Sequence, residues 1–190
     1  MTAPLSVLAI AGSLRSASFN RALLEAAREQ APAGSEVVLW DGLGDLPFYS
    51  EDLDGDATPA PVAELRRLIG EAAALLISTP EYNSSIPGGL KNALDWASRP
   101  YGSSTLVAKP VAVVGASPSS FGAAWAQAEV RKVVAASGGR VLEQGLSFAK
   151  AANRVDAAGR IKADDDVRAE LTTLLEQLVE LVRTPLDSDD

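Results

Sequence analysis

Five short apolar runs, each bounded by Gly, Pro or Ser, recur along the chain at 5–11, 36–40, 74–79, 111–116 and 140–145. They are strand-length, and a helix-spaced pattern follows each of them. Leu23, Leu24 and Ala27 share one face of the first helix, and Leu65, Leu68, Ile69 and Ala72 share one face of the second. Leu90, Ala93, Leu94 and Ala97 give the i, i+3, i+4, i+7 set of the third; Trp125, Ala128 and Val133 mark the fourth. The last helix carries Val167, Leu171, Leu174, Leu175, Leu178, Leu181 and Val182 behind the acidic run 164–166, which suits a helix N-terminus. Strands alternating with helices demand crossover connections, hence a parallel sheet covered on both faces. The third and fourth runs, AALLIST and VAVVGA, are almost wholly apolar, as central strands of such a sheet must be. No repeat, linker or low-complexity stretch interrupts the alternation, so residues 1–190 are expected to form one α/β domain.

The residue types that are missing narrow the chemistry. The 190 residues contain neither Cys nor His. That excludes disulfides, thiolate nucleophiles, Ser-His-Asp hydrolysis, and metal sites built on imidazole or thiolate. GASPSSFG (115–122) has Ser119 where a nucleophile elbow needs its second Gly, and no base exists to serve it. EDLDGDATP (51–59) departs from a calcium loop in the position of Gly55 and lacks the closing Glu, so it reads as a solvated loop. A net charge of −8 argues against nucleic acid or an anionic membrane as partner. No apolar run approaches the ~20 residues of a membrane helix, and MTAPLSVLAIAG has no basic residue ahead of its apolar part, unlike a signal peptide. The expected location is the cytoplasm.

In a sheet of this kind ligands bind beyond the carboxyl ends of the strands. Three loops there are unusual. In the first, AGSLRSASFN, an apolar strand gives way to Ser13, Arg15, Ser16, Ser18 and Asn20. The open N–H groups of the next helix, its dipole, and these side chains could together cradle a phosphate, with Arg15 supplying permanent charge. The same residues also fit a plain turn with Ser18 as helix cap and Arg15 in solvent. There is no GxGxxG and no GxxxxGK[ST], so the pattern suits a mononucleotide phosphate better than a dinucleotide or ATP. The second loop, PEYNSSIPGGLKNALDW (80–96), offers Pro80 and Tyr82 as rigid walls for a flat ligand and Asn83 as a donor. It fits a plain strand-to-helix turn as well, with Pro87 opening the helix. The third is GASPSSFGAAW (115–125). Lys91 and Asp95 are spaced for a helix-face ion pair. Trp96 is expected to pack inside, the alternative being contact with a partner subunit.

GSLRSASFN followed by PEYNSSIPGGLKNALDW closely resembles the NAD(P)H-dependent FMN reductase family, whose members include chromate, quinone and azo-dye reductases. The resemblance runs over about 5–182 and takes in DLPFYSEDLD and NRVDAAGRIKADD. It implies a flavodoxin-like, doubly wound five-stranded parallel sheet in the order 2-1-3-4-5. It implies non-covalent FMN, with the phosphate on Ser13, Arg15, Ser18, the Phe19 backbone and Asn20. The ring would lie along Pro80, Glu81, Tyr82, Asn83 and Ser84, closed on its other edge by Ser117 and by close backbone approach at Gly122. This third loop is less Gly-rich than is usual in the family. The implied reaction passes a hydride from NAD(P)H to FMN and then reduces a small-molecule acceptor such as a quinone, chromate, an azo compound or free flavin. The flavin does the chemistry, so no acid–base residue is expected.

Two other functions remain open on these residues. A flavodoxin-type carrier would show no NAD(P)H turnover, although a charged Arg15 is foreign to the usual uncharged flavodoxin phosphate loop. A non-flavin module binding another phosphorylated ligand is compatible with the same fold. The resemblance also implies a homodimer or homotetramer with Tyr101 available for contact. Neither the acceptor nor the choice of NADPH or NADH can be read from the motifs.

Overall fold

In the computed structural model, residues 3–162 and 164–185 are described. Met1, Thr2, Ala163 and 186–190, which the 1–190 expectation includes, lie outside the described residues. Five strands, β1 (Leu5–Ala11), β2 (Ser35–Trp40), β3 (Ala74–Thr79), β4 (Pro110–Ala116) and β5 (Arg140–Phe148), form one sheet in the order β2-β1-β3-β4-β5. Every pairing is parallel. The helices are α1 (Phe19–Glu29), α2 (Ala60–Glu71), α3 (Gly88–Ala97), α4 (Ala124–Ala136), α5 (Ala151–Arg154) and α6 (Asp165–Arg183). One apolar layer joins α1 and α6 to the sheet through Leu23, Leu24, Leu171 and Leu178; the other joins α2, α3 and α4 through Leu65, Ile69, Leu90, Trp96 and Val130. β3 and β4 are buried at every residue, the condition their unbroken apolar runs required.

Two expectations change. The buried face of α4 carries Ala126, Gln127, Val130 and Val134, with the expected Val133 partly buried against the same layer, while Trp125 and Ala128 face outward. Alanine is common on both faces of this helix, so its apolar periodicity is weak, and packing of the larger Val side chains decides the rotation. β5 also runs three residues beyond its expected end at residue 145, through a register irregularity opposite Val111–Val113. Gly145 interrupts the pattern there, and any Cβ on it would press within 2.5 Å of the Val113 carbonyl.

Trp96 packs inside. Its indole donates to Pro47 O at 2.8 Å, and the neighbouring Asn92 amide donates to the same oxygen at 2.9 Å. Asn92 also accepts from the Tyr49 N–H at 2.8 Å, so residues 47–49 are strapped across α3. Asp54, in the acidic loop, pairs with Arg66 at 2.8 Å. Lys91 and Asp95 pair at 2.6 Å, and Asp164 caps α6 by accepting from the Val167 N–H. Among the described residues no helix is long and apolar enough to cross a membrane.

Candidate active site

β1, β3 and β4 end at the same edge of the sheet, where strand order reverses between β1 and β3. Gly12 carries the first loop over that edge, its N–H bonded to Ser78 O at 2.8 Å. A Cβ at Gly12 would lie 2.9 Å from the Leu90 side chain and 3.3 Å from Pro80, so only glycine lets the first and second loops approach so closely. α1 then begins at Phe19. Ser18 Oγ accepts from the Arg21 N–H at 3.2 Å, while the N–H groups of Phe19 and Asn20 find no acceptor among the described residues. These open donors carry the positive end of the helix dipole. The Arg15 guanidinium stacks 4.6 Å from the centre of the Phe19 ring and makes no ion pair among the described residues. Arg21 is occupied instead: it bonds Asp41 and lies 3.6 Å from Glu25. The hydrogen bond to Asp41 is the main cause raising its pKa.

The second loop closes on itself. Tyr82 and Ser85 exchange both backbone hydrogen bonds (3.0 and 3.1 Å) around Asn83 and Ser84, whose φ angles are 52° and 60°. Two consecutive positive φ values are what a type I′ turn requires, and asparagine tolerates them. Glu81 reaches across to the third loop. Its Oε2 accepts from the N–H groups of Trp125 and Ala126 at 3.1 and 3.3 Å, capping α4 from another segment of the chain. α4 needs that cap because its own N-cap residue, Ala123, has no side-chain acceptor.

Between the three loops lies a half-open cleft of about 300 Å³. Its lining comes from Ser13, Arg15, Phe19 and Asn20, from Pro80, Glu81 and Tyr82, and from Ala116, Ser117 and Pro118. It is mostly apolar, with a few polar groups among its walls, as a slot for a flat ring ending in an anion should be. A larger hollow of about 720 Å³ flanks the other side of Arg15 and Phe19, between α1 and residues 152–160. Arg15 is shared by the two, and the hollow's other arginines, Arg21, Arg28 and Arg160, are paired with Glu25 or Asp156, so it adds no further free cation among the described residues. The smaller cleft, at the strand ends, is the better candidate.

The model of the family described as NADPH-dependent FMN reductase matches residues 5–153. The chain belongs to that family. It is 41% identical over 180 residues to a 2-hydroxy-1,4-benzoquinone reductase of Burkholderia sp, covering 94% of this chain and 97% of that protein. It is 40% identical to an NAD(P)H-dependent FMN reductase of Pseudomonas aeruginosa, covering 96% and 98%. Among solved structures, FerB, a flavoenzyme NAD(P)H:(acceptor) oxidoreductase from Paracoccus denitrificans, superposes with a TM-score of 0.83 at 35% identity, covering 94% and 97%.

Of the residues expected to hold the flavin in this reductase, the structure brings Ser13, Arg15, Phe19, Asn20, Pro80, Glu81, Tyr82 and Ser117 to the cleft. Ser18 serves as the helix cap and lies on the far side of Phe19, against the larger hollow. Asn83 and Ser84 do not line the cleft; they form the tip of the type I′ turn, and that backbone demand accounts for their place. Gly122 does make a close approach, but to β5: at φ 56°, a Cβ would lie 2.6 Å from the Ser147 backbone. Asn20 gives three of its four possible hydrogen bonds to the protein's own strands. Two features escaped sequence reasoning, the lining by Ala116 and Pro118 and the capping by Glu81. Only the last left a signal, since a helix opening on AAWAQ has no cap residue of its own.

Proposed function

We propose that the chain is an FMN-dependent NAD(P)H oxidoreductase whose acceptors are small molecules, quinones foremost and chromate, azo compounds or free flavin beside them. The observation that carries this reading is the placement of Arg15. It is a cation without a carboxylate partner, beside two open helix N–H groups, at one end of a mainly apolar cleft. A mononucleotide phosphate satisfies all of these donors at once. When bound, FMN accepts a hydride from NAD(P)H and supplies the electrons that reduce the acceptor.

The protein's own contribution is to bind and to orient. Arg15, Ser13 and the N–H groups of Phe19 and Asn20 fix the phosphate end. Pro80 and Tyr82 wall the ring end, with Ser117 at its rim. Glu81 keeps its carboxylate on the start of α4, so its negative charge is balanced by the helix dipole. Tyr82 is half exposed, leaving the mouth of the cleft open to an acceptor.

The whole chain acts as one FMN-binding unit in this reading. A cytoplasmic enzyme belongs to the same reading, and the near fully exposed Tyr101 suits a contact in a homodimer or homotetramer. Trp96, buried in its own subunit, takes no part in such a contact. Protein loaded with FMN and passed through gel filtration should keep a flavin spectrum that NADPH or NADH bleaches without oxygen, and a quinone should restore it. Protein emerging colourless would overturn the proposal.

A further inference from the structure

β3 ends before β4 does. The last recorded pair between them is Thr79 with Gly115, after which Pro80 turns away and has no N–H to offer. The next residue of β4, Ala116, therefore presents an N–H and a C=O that have outrun the sheet on that side; its other neighbour, β5, is bonded through Ser117, whose N–H donates to Phe148 O. Both groups are met by one side chain from a different layer. Asn20 Oδ1 accepts from the Ala116 N–H at 3.0 Å, and Asn20 Nδ2 donates to the Ala116 carbonyl at 3.1 Å. An amide is the one side chain that can imitate the missing strand in this way, offering a donor and an acceptor in a single plane.

The same Oδ1 also accepts from Ser78 Oγ at 2.9 Å, and the Ser78 carbonyl in turn holds the Gly12 N–H at 2.8 Å. Asn20, itself 2% exposed, thus ties α1 directly to the ends of β3 and β4 and, through Ser78, to the end of β1. Those ends carry the three loops of the cleft. The phosphate end and the ring end belong to separate segments of chain, and Asn20 is where they are held in mutual register.

The geometry points to the Asn20 side chain as a positioning group of the reductase, acting on both ends of the flavin site through the backbone atoms it holds, while only the residue's own N–H faces the phosphate. This rests on the FMN reading above. It separates two roles that the residue could play. A phosphate ligand affects only flavins that carry phosphate, whereas a residue that sets the register of the loops affects every flavin that uses the slot.

The test measures affinity for FMN and for riboflavin in the wild-type chain, Asn20→Ala and Arg15→Ala. In Asn20→Ala, both affinities should fall by the same factor, about tenfold or more for loss of a buried three-bond hub. Arg15→Ala should weaken FMN alone. The visible circular dichroism of bound flavin should change in Asn20→Ala. In the flavin-free protein, the Ala116 N–H should exchange faster with solvent than in the wild type. A loss confined to FMN would make Asn20 a phosphate ligand and overturn the inference; so would unchanged affinities, or a lower melting temperature with the flavin signal and riboflavin affinity unmoved. Should Asn20→Ala fail to fold, Ser78→Ala, which removes one bond of the hub, decides by the same criterion with an expected loss of about threefold on both flavins. A wild-type chain that binds neither flavin is a separate outcome. It removes the FMN reading and this inference with it.

Discussion

The two ends of the cleft use their polar groups in opposite ways. At the proposed phosphate end, the Arg15 guanidinium has no carboxylate partner and the N–H groups of Phe19 and Asn20 have no acceptor among the described residues. At the ring end nearly every polar group is already engaged: Glu81 caps α4, Tyr82 and Ser85 close a turn, and Ser117 Oγ accepts from the Ser119 N–H at 3.1 Å. Unspent donors cost little where water can reach them and return their full strength when a ligand arrives. Engaged groups add little affinity but fix the shape of the slot. Binding strength is thereby concentrated at one end and geometry at the other.

Substitutions at the two ends should therefore separate stability from affinity. The largest effect is expected at Gly122→Ala, where a methyl group meets the Ser147 backbone at a positive φ. Overpacking and left-handed strain together should cost roughly 2–4 kcal/mol of folding stability, visible as a lower urea midpoint. A midpoint near the wild type would show that the third loop is not pinned to β5.

Arg15→Ala comes next. It should weaken FMN about thirtyfold, roughly 2 kcal/mol, and leave the melting temperature of the flavin-free protein where it was. Titration of flavin fluorescence and a thermal scan together check this. A fall in stability matching the fall in affinity would erase the contrast between the two ends.

At Glu81 the two halves of the comparison meet. Glu81→Ala removes the cap from α4 and should cost about 1 kcal/mol of stability. Glu81→Gln keeps an acceptor for the Trp125 and Ala126 N–H groups and should recover most of that loss in the same denaturation series. If Gln behaves like Ala, the negative charge on the helix dipole matters more than the hydrogen bonds.

The smallest effect is expected at Ser84→Gly. The turn holds this residue at φ 60°, so glycine should raise stability by about 0.5–1 kcal/mol. FMN affinity should not change, because Ser84 does not line the cleft. A measurable loss of FMN would return Ser84 to the binding site.

Much of this organisation was legible in the sequence because it follows from short-range rules. The apolar runs of β3 and β4, the acidic opening of α6 and the Lys91–Asp95 spacing each mark their element without reference to the rest of the chain. The cluster of donors after β1 was visible for the same reason. What was not legible depended on contacts between distant segments. Nothing in the stretch between Asn20 and Glu81 says that the amide of the one is claimed by Ala116 and the carboxylate of the other by α4. Asn83 shows the converse, a residue type suited both to binding a ring edge and to turning a chain, whose φ of 52° serves the turn.

The order of residues by itself determined the layered α/β architecture, the absence of thiol and imidazole chemistry, and a donor-rich opening to α1, since periodicity, composition and helix ends are local properties of a chain. Only the tertiary structure decided which of the polar residues line the cleft and which hold the loops together. A side-chain amide or carboxylate satisfies a backbone group as readily as a ligand. The choice falls to whichever partner the packed strands bring within about 3 Å.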